Sequence, residues 1–433
     1  MRYDVLDNAP TQKIWYNNIM FAFIVKCYRN FRLWGWKGVF RFVPQQIEKW
    51  RIRQKISRFV RSSGNSPQRG ITLIGGFSDR TSLSKVFRDF AYRLKEADIP
   101  FQAYDPTPAR EIPKEDYIDI ITPDKDFDLY KYDHLIDNIT GLFALPLPEA
   151  IKHASITFWE FDSGVIEGYP HILQTPNVIA MSDFNYDYFR KALPQSIGVY
   201  KILYPFRFNP GELDDITTVR RRYGIGENDF VVFFNFALGT ARKNPEGVIK
   251  AFAIAFKGNP SAKLVFKVVG AKKHPDALER INKLVSKECL SDNVKIVTQY
   301  LPMKELYNLT NACDAYISLH RGEGFGLGVA EAMSLGKTVV VTDYSSTKEF
   351  CNSLNSFPIP FKLTQFSASQ PHLPYRGVKE WAEPDIQSAA SALSRIFQDP
   401  SLRHQIAQRA QSDILSHFST EKFRESINAF LKG

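Results

Sequence analysis

In the second half of this chain, short apolar runs alternate with stretches of helical periodicity, and no other feature narrows the available folds so far. Residues 230–234, 264–269, 294–297, 315–319 and 339–341 are such runs, and helical patterns fill 245–257, 274–287, 303–312 and 327–336 between them. Strands that return through a helix pair in parallel, and a parallel sheet is covered by helices on both faces. The first half opens in the same way. A run at 71–74 leads into Gly75-Gly76-Phe77, then a helical stretch over 82–95 with Leu83, Val86, Phe87, Phe90, Ala91 and Leu94 on one stripe. Pro and Gly cluster over 204–211, where the two patterns meet, and 433 residues give room for a domain on each side. The expected architecture is α/β: two doubly wound, Rossmann-like domains, 70–207 and 208–433, facing a cleft. The second should end in amphipathic helices over 400–431. Ligands of such sheets bind at the carboxyl ends of the strands.

Residues 1–69 stand apart as a basic, aromatic N-terminal extension. They hold fourteen Lys/Arg against three Asp/Glu, a surplus larger than the +10 of the whole chain. The remainder is therefore close to neutral, which argues against a nucleic-acid partner. Four of the six tryptophans (Trp15, Trp34, Trp36, Trp50) fall among these basic residues. Two readings of the extension stand side by side. One is a segment lying on an anionic membrane surface; the other is a helical extension packed on the body with a solvated basic face. The longest early apolar run, 19–25, is far shorter than the ~20 residues needed to span a bilayer. The expected location is cytoplasmic, peripheral on the inner membrane face if the extension binds lipid. Cys27, Cys289, Cys313 and Cys351 form no CxxC pair, so neither a disulfide framework nor a zinc site is expected.

The chemistry concentrates in His320-Arg321-Gly322-Glu323-Gly324-Phe325-Gly326-Leu327-Gly328-Val329-Ala330-Glu331. The stretch follows the run 315–319 and opens a helix near Leu327. Glycines let a backbone approach a ligand closely, and a helix amino terminus offers free N–H groups and partial positive charge to an anion. Glu331, one turn into the helix, can look back towards the same ligand. Carboxylates beside an anion site suit hydroxyl groups of a sugar and a ribose. The competing reading is a tight strand–helix turn with Glu331 an ordinary helix residue.

The stretch resembles the E-x7-E signature of retaining GT-B glycosyltransferases of family four, with Glu323 and Glu331 at the right spacing and a matching EGFGL. The likeness continues through 336–345 and reaches Trp381-Ala382-Glu383-Pro384-Asp385, as in members that build bacterial polysaccharides. Arg242-Lys243-Asn244-Pro245 resembles the family's RKNP, and Trp159-Glu160 and Ser182-Asp183-Phe184 resemble first-domain landmarks. The resemblance implies a hexosyltransferase using a GDP- or UDP-linked donor and a glycan or lipid-linked acceptor, without metal or other cofactor. Glu323 would bind the donor sugar, and Gly324, Phe325, Gly326 and Leu327 would hold sugar and phosphate. Glu331 would take the ribose diol. Lys243 with Arg242 would neutralise the leaving diphosphate, which the Gly75-Gly76 turn approaches from the acceptor-side first domain. Gln299 and Tyr300 would border the nucleobase. The chain has no match for the family's extra Arg before the basic pair, and no motif fixes an acceptor-side His.

Two further features compete for attention. Asp124-Lys125-Asp126-Phe127-Asp128 contains DxD triplets after an apolar run at 118–121, an arrangement that holds a metal in single-domain transferases; the other reading is a solvated acidic loop. His320, His134 and His153 read as structural or as site residues. Two alternatives to transfer remain: an inactive sugar-nucleotide-binding scaffold, and a sugar-nucleotide epimerase.

Overall fold

The computed structural model describes residues 47, 51–52, 54–56, 58–59, 66–106, 118–138, 147, 149–366 and 375–432; most of the basic extension, with its four tryptophans, lies outside them. Two six-stranded sheets, parallel throughout, organise the described residues. The first contains β1 (Gln68–Ile74), β2 (Phe101–Tyr104), β3 (Tyr132–Asp137), β4 (Lys152–Ile156), β5 (Asn177–Ala180) and β6 (Gly198–Lys201), in the order β2-β1-β3-β4-β5-β6. The second contains β7 (Phe230–Ala237), β8 (Ala262–Val269), β9 (Val294–Val297), β10 (Ala315–Ser318), β11 (Thr338–Thr342) and β12 (Phe357–Ile359), in the order β12-β11-β10-β7-β8-β9. Consecutive residues 230–234 of β7 are all buried, because helices cover both faces of the sheet. The order reverses between β1 and β3 in one sheet and between β7 and β10 in the other. Connections leave such adjacent strands in opposite directions, so a crevice opens at their carboxyl ends.

The helix Ser82–Glu96 begins at Thr81, whose side chain accepts from the Ser84 amide, and ends with Arg93 and Lys95 in its last turn. Its buried face is Val86, Phe87, Phe90, Ala91 and Leu94, as the periodicity requires. Leu83 departs from that stripe and is exposed. The apolar run before the acidic triplets is a 3₁₀ turn, Ile118–Ile120, rather than a strand. Asp119 is drawn outwards there to Tyr92 and Lys95, at 2.8 and 3.0 Å.

The chain crosses between the sheets without regular structure over 202–215. It crosses back at the end. The helices Ile386–Gln398 and Pro400–His417 pack on the second sheet's elements, whereas Thr420–Lys432 packs on the first domain's helix and on β6. Phe423 meets Phe90 with ring centres 5.5 Å apart, and the Arg93 guanidinium donates to the carbonyls of Phe206 and Phe418. Both crossings are therefore pinned by one arginine. An antiparallel hairpin, β13 (Phe361–Gln365) with β14 (Glu380–Pro384), carries the Trp-Ala-Glu-Pro sequence and packs Trp381 into a cluster with Trp159 and Phe161 of the first domain.

Candidate active site

The chain leaves β7 through a 3₁₀ turn, Ala241–Lys243, and Asn244 then adopts the left-handed region with φ 52° and ψ 49°. Asparagine tolerates that region better than other chiral residues, and its Oδ1 accepts from the Gly247 amide at 3.1 Å. Pro245 suits the first position of the helix Pro245–Phe256. The Arg-Lys-Asn-Pro sequence thus builds a sharp turn that aims its two cations at the exit of β10. The Arg321 amide donates to the Arg242 carbonyl at 2.7 Å, tying the two exits together.

Glu323 is the meeting point. The Lys243 ammonium donates to its Oε1, and Arg242 Nη1 lies 3.3 Å from its Oε2. Arg242 also donates to the Gly322 carbonyl and to the Tyr375 hydroxyl, at 3.0 Å each, and its Nη2 lies 3.0 Å from Glu160 Oε1. The Glu323 amide donates to Ser345 Oγ at 2.9 Å. Ser345 itself sits at φ 62°, a conformation that a non-glycine residue holds only where its surroundings impose it.

Burial alone would raise the Glu323 carboxyl, but Lys243 and Arg242 outweigh it and hold it down to about 2. Burial draws the Lys243 ammonium below the ordinary lysine range although Glu323 pulls the other way. Arg242 is held firmly protonated: its two carboxylate neighbours overcome the effect of burial. Glu160 moves upwards, because burial outweighs the attraction of Arg242. All four groups therefore sit in a water-poor pocket where charge interactions are strong.

The glycine loop follows. Gly326 has φ 96°, and a β-carbon there would collide with the Thr347 methyl, so glycine is required on two counts. It begins the helix Leu327–Ser334 without any side-chain cap, which leaves first-turn amides for a ligand anion. Gly322 and Gly324 face the first domain: a β-carbon on Gly324 would lie 3.2 Å from the Phe158 β-carbon, and one on Gly322 would strike the Glu160 carbonyl. Phe325 stacks on Tyr204 of the crossover, rings 3.4 Å apart and 2° from parallel. Glu331 accepts from the Tyr307 hydroxyl at 3.1 Å and is 5% exposed. Burial lifts its carboxyl to about 7, against the pull of Lys85 from the first domain.

The structure brings together Arg242, Lys243, Glu323 and residues 324–327, with Glu331 one helical turn further along. The other predicted residues lie outside this cluster. Gly75 packs against the Phe87 ring and Asn138, and beyond Gly76 the amides of Phe77 and Ser78 both donate to Asp105 Oδ2 at 3.0 Å. Gln299 and Tyr300 are exposed beyond β9, where the Arg80 guanidinium of the first domain lies 3.8 Å over the Tyr300 ring. His320 is fully buried; Ser318 and the Tyr344 carbonyl hold its two nitrogens at 3.2 and 3.1 Å, and burial lowers it to about 4. It is a neutral structural residue. His153 pairs with Asp137 across β4 and β3, and His134 lies 2.8 Å from Asp133. Asp124 and Asp126 stand in an exposed turn, and Asp128, just after it, accepts from the Tyr130 amide at 3.1 Å.

Sequence reasoning gave no role to Glu160, Tyr375, Tyr307 or Ser345. Glu160 carried a signal through its place after Trp159; Tyr375 carried none, because only the hairpin's path across the first domain brings it to Arg242.

Two doubly wound domains closing over a glycine loop, a cation pair and a buried glutamate define a protein of the GT-B class. Residues 215–356, within the second domain, match the family model for glycosyl transferases group 1. The match takes in Arg242, Lys243, Glu323 and Glu331 but not Glu160 or Tyr375. A 141-residue stretch is 31% identical to the serotype-specific mannosyltransferase WbdA of Escherichia coli, covering 31% of this chain and 16% of that protein's length. The structure of sucrose-phosphate synthase from Thermosynechococcus elongatus superposes with a TM-score of 0.60 at 15% identity, over 84% of this chain and 98% of that one. HepE of Anabaena, solved in complex with UDP-glucose, gives 0.60 at 17% identity over 84% and 100%.

Proposed function

We propose that this chain is a retaining glycosyltransferase that moves a hexose from a GDP- or UDP-linked donor to a glycan or lipid-linked acceptor in cell-surface polysaccharide synthesis. The observation that carries the reading is the convergence, at the β7–β10 reversal, of Lys243 and Arg242 from one strand exit with Glu323 from the other. The matched group 1 domain and the mannosyltransferase relative support it.

In this reading the donor's diphosphate lies against Lys243, Arg242 and the free amides at the start of Leu327–Ser334. Those groups stabilise the charge that develops as it leaves, and the reading assigns no metal ion to the site. Glu323 accepts hydroxyls of the hexose and Glu331 those of the ribose. The Gly75-Gly76 turn borders the diphosphate, and Gln299 with Tyr300 the base. The acceptor hydroxyl attacks from the face the diphosphate leaves, and its proton passes to a departing phosphate oxygen. The Glu323–Glu331 pair is 7% and 5% exposed, so the cleft opens to admit a donor and closes to exclude water.

We place the protein on the cytoplasmic side, with the 1–69 extension as its contact to anionic lipid. Among the described residues no helix is long and apolar enough to cross a membrane. Thermal-shift titration with UDP and GDP, followed by hydrolysis of the matching sugar nucleotide, tests the reading. One base should stabilise the chain through ligand linkage. A scaffold would bind without consuming donor, and an epimerase would convert the sugar without releasing nucleoside diphosphate.

A further inference from the structure

Every group assigned to the donor except the Gly75-Gly76 turn belongs to the second domain, so the attacking hydroxyl has to arrive from the first. Among the described residues one first-domain carboxylate is ion-paired to the cation pair, that of Glu160, with Oε1 3.0 Å from Arg242 Nη2. Its backbone is fixed on both sides. The Trp159 amide donates to Asn185 Oδ1 at 3.1 Å, the Asn185 side-chain amide donates to the Trp159 carbonyl at 2.7 Å, and Gly322 abuts the Glu160 carbonyl. The backbone that carries the carboxylate is therefore held at the cleft. Arg242 is held between two carboxylates, Glu160 from one domain and Glu323 from the other, with Lys243 beside it and Tyr375 against its Nε.

A diphosphate entering this cluster adds negative charge to a set of groups already neutral overall, two cations with two carboxylates. One carboxylate has to give way. Glu323 keeps the Lys243 ammonium and its own amide's bond to Ser345, whereas Arg242 is the only ion partner of Glu160 among the described residues.

Building on the donor-site reading above, we infer that Glu160 is the acceptor-side catalytic carboxylate. Once the diphosphate takes its place on Arg242, it accepts the hydrogen bond of the incoming hydroxyl and orients that oxygen towards the anomeric carbon. The new bond joins the hydroxyl oxygen to that carbon as the bond to the phosphate oxygen breaks. The hydroxyl proton leaves with the phosphate, and Glu160 ends the step as it began.

The test compares the full-length chain with Glu160→Gln and Glu160→Asp. Affinity for UDP and GDP is read by calorimetry. The ratio of sugar transfer to donor hydrolysis is read with whichever of a panel of octyl hexosides the unaltered chain accepts. Glu160→Gln should keep nucleotide affinity within about threefold while the transfer-to-hydrolysis ratio falls about 30-fold or more, within the range spanned by misplacing an attacking group. Glu160→Asp keeps the charge, provides the same readout should the glutamine variant fail to fold, and should lose less. An unchanged ratio in a variant that still binds nucleotide overturns the inference and leaves the donor site standing. A tenfold loss of nucleotide affinity in both variants also overturns it, by making Glu160 a support for Arg242 alone. An unaltered chain that binds neither nucleotide removes the donor-site reading and this inference with it.

Discussion

Glu331 offers a quantitative test of how the cleft receives a nucleotide. Its carboxyl is buried against Tyr307 and lifted from the usual 4.5 to about 7, so near neutral pH about half of the ligand-free molecules carry a proton there. A ribose diol donates hydrogen bonds and so prefers the ionised form. Binding should therefore return the carboxyl towards its ordinary range and expel the proton. At pH 7 the release is about half a proton per nucleotide, and affinity should rise about 70-fold between pH 5 and pH 8 if the bound group returns to 4.5. The same shift acts on stability with a definite sign. A folded pKa above the unfolded one favours the native state below about 4.5, and the advantage is lost as pH rises through about 7, a change on the order of 3 kcal/mol. Calorimetry of nucleotide binding in buffers of different ionisation enthalpy counts the protons. The nucleotide's own phosphate also titrates, so the decisive comparison is with Glu331→Gln, which should release about half a proton fewer and be the more stable protein at pH 8. Equal release by the two proteins would refute the assignment of Glu331 to the ribose.

Lys243→Ala and Glu323→Ala should each reduce sugar transfer about a hundredfold, on the order of 3 kcal/mol in the barrier, measurable as kcat/KM for donor consumption. Gly326→Ala forces a β-carbon into the Thr347 methyl at a left-handed φ of 96°, and urea unfolding should show a loss of about 2 kcal/mol or more. Deleting residues 1–60 should weaken co-sedimentation with anionic liposomes and leave neutral liposomes indifferent; unchanged sedimentation would remove the membrane role of the extension.

The sheets were legible because a parallel strand buried on both faces has to be apolar along its length. Residues 230–234 and 339–341 satisfy that rule and lie in β7 and β11. The cation turn and the glycine loop were legible because backbone geometry dictates their residues, Asn244 and Gly326 in left-handed conformations and Pro245 opening a helix. What the sequence hid depends on the third dimension. Nothing local marks residue 375 as the neighbour of residue 242, or makes the last helix return to the first domain; Phe423 is an amphipathic-helix residue until Phe90 is seen against it. The run at 118–121 is apolar in composition yet forms a 3₁₀ turn, from which Asp119 reaches Tyr92 and Lys95. Gly322 and Gly324 were expected to admit a ligand, and in this structure the first domain lies against both.

The central claim is that the cluster of Glu323, Lys243 and Arg242 transfers a sugar with retention. Proton NMR of the full-length chain incubated with UDP-glucose or GDP-mannose and an octyl hexoside follows the anomeric signals of donor and product together. The account predicts loss of the α-linked donor signal, growth of an α-linked product and release of nucleoside diphosphate, all suppressed about a hundredfold in Glu323→Ala. A β-linked product, or donor consumption that Glu323→Ala leaves intact, would contradict it.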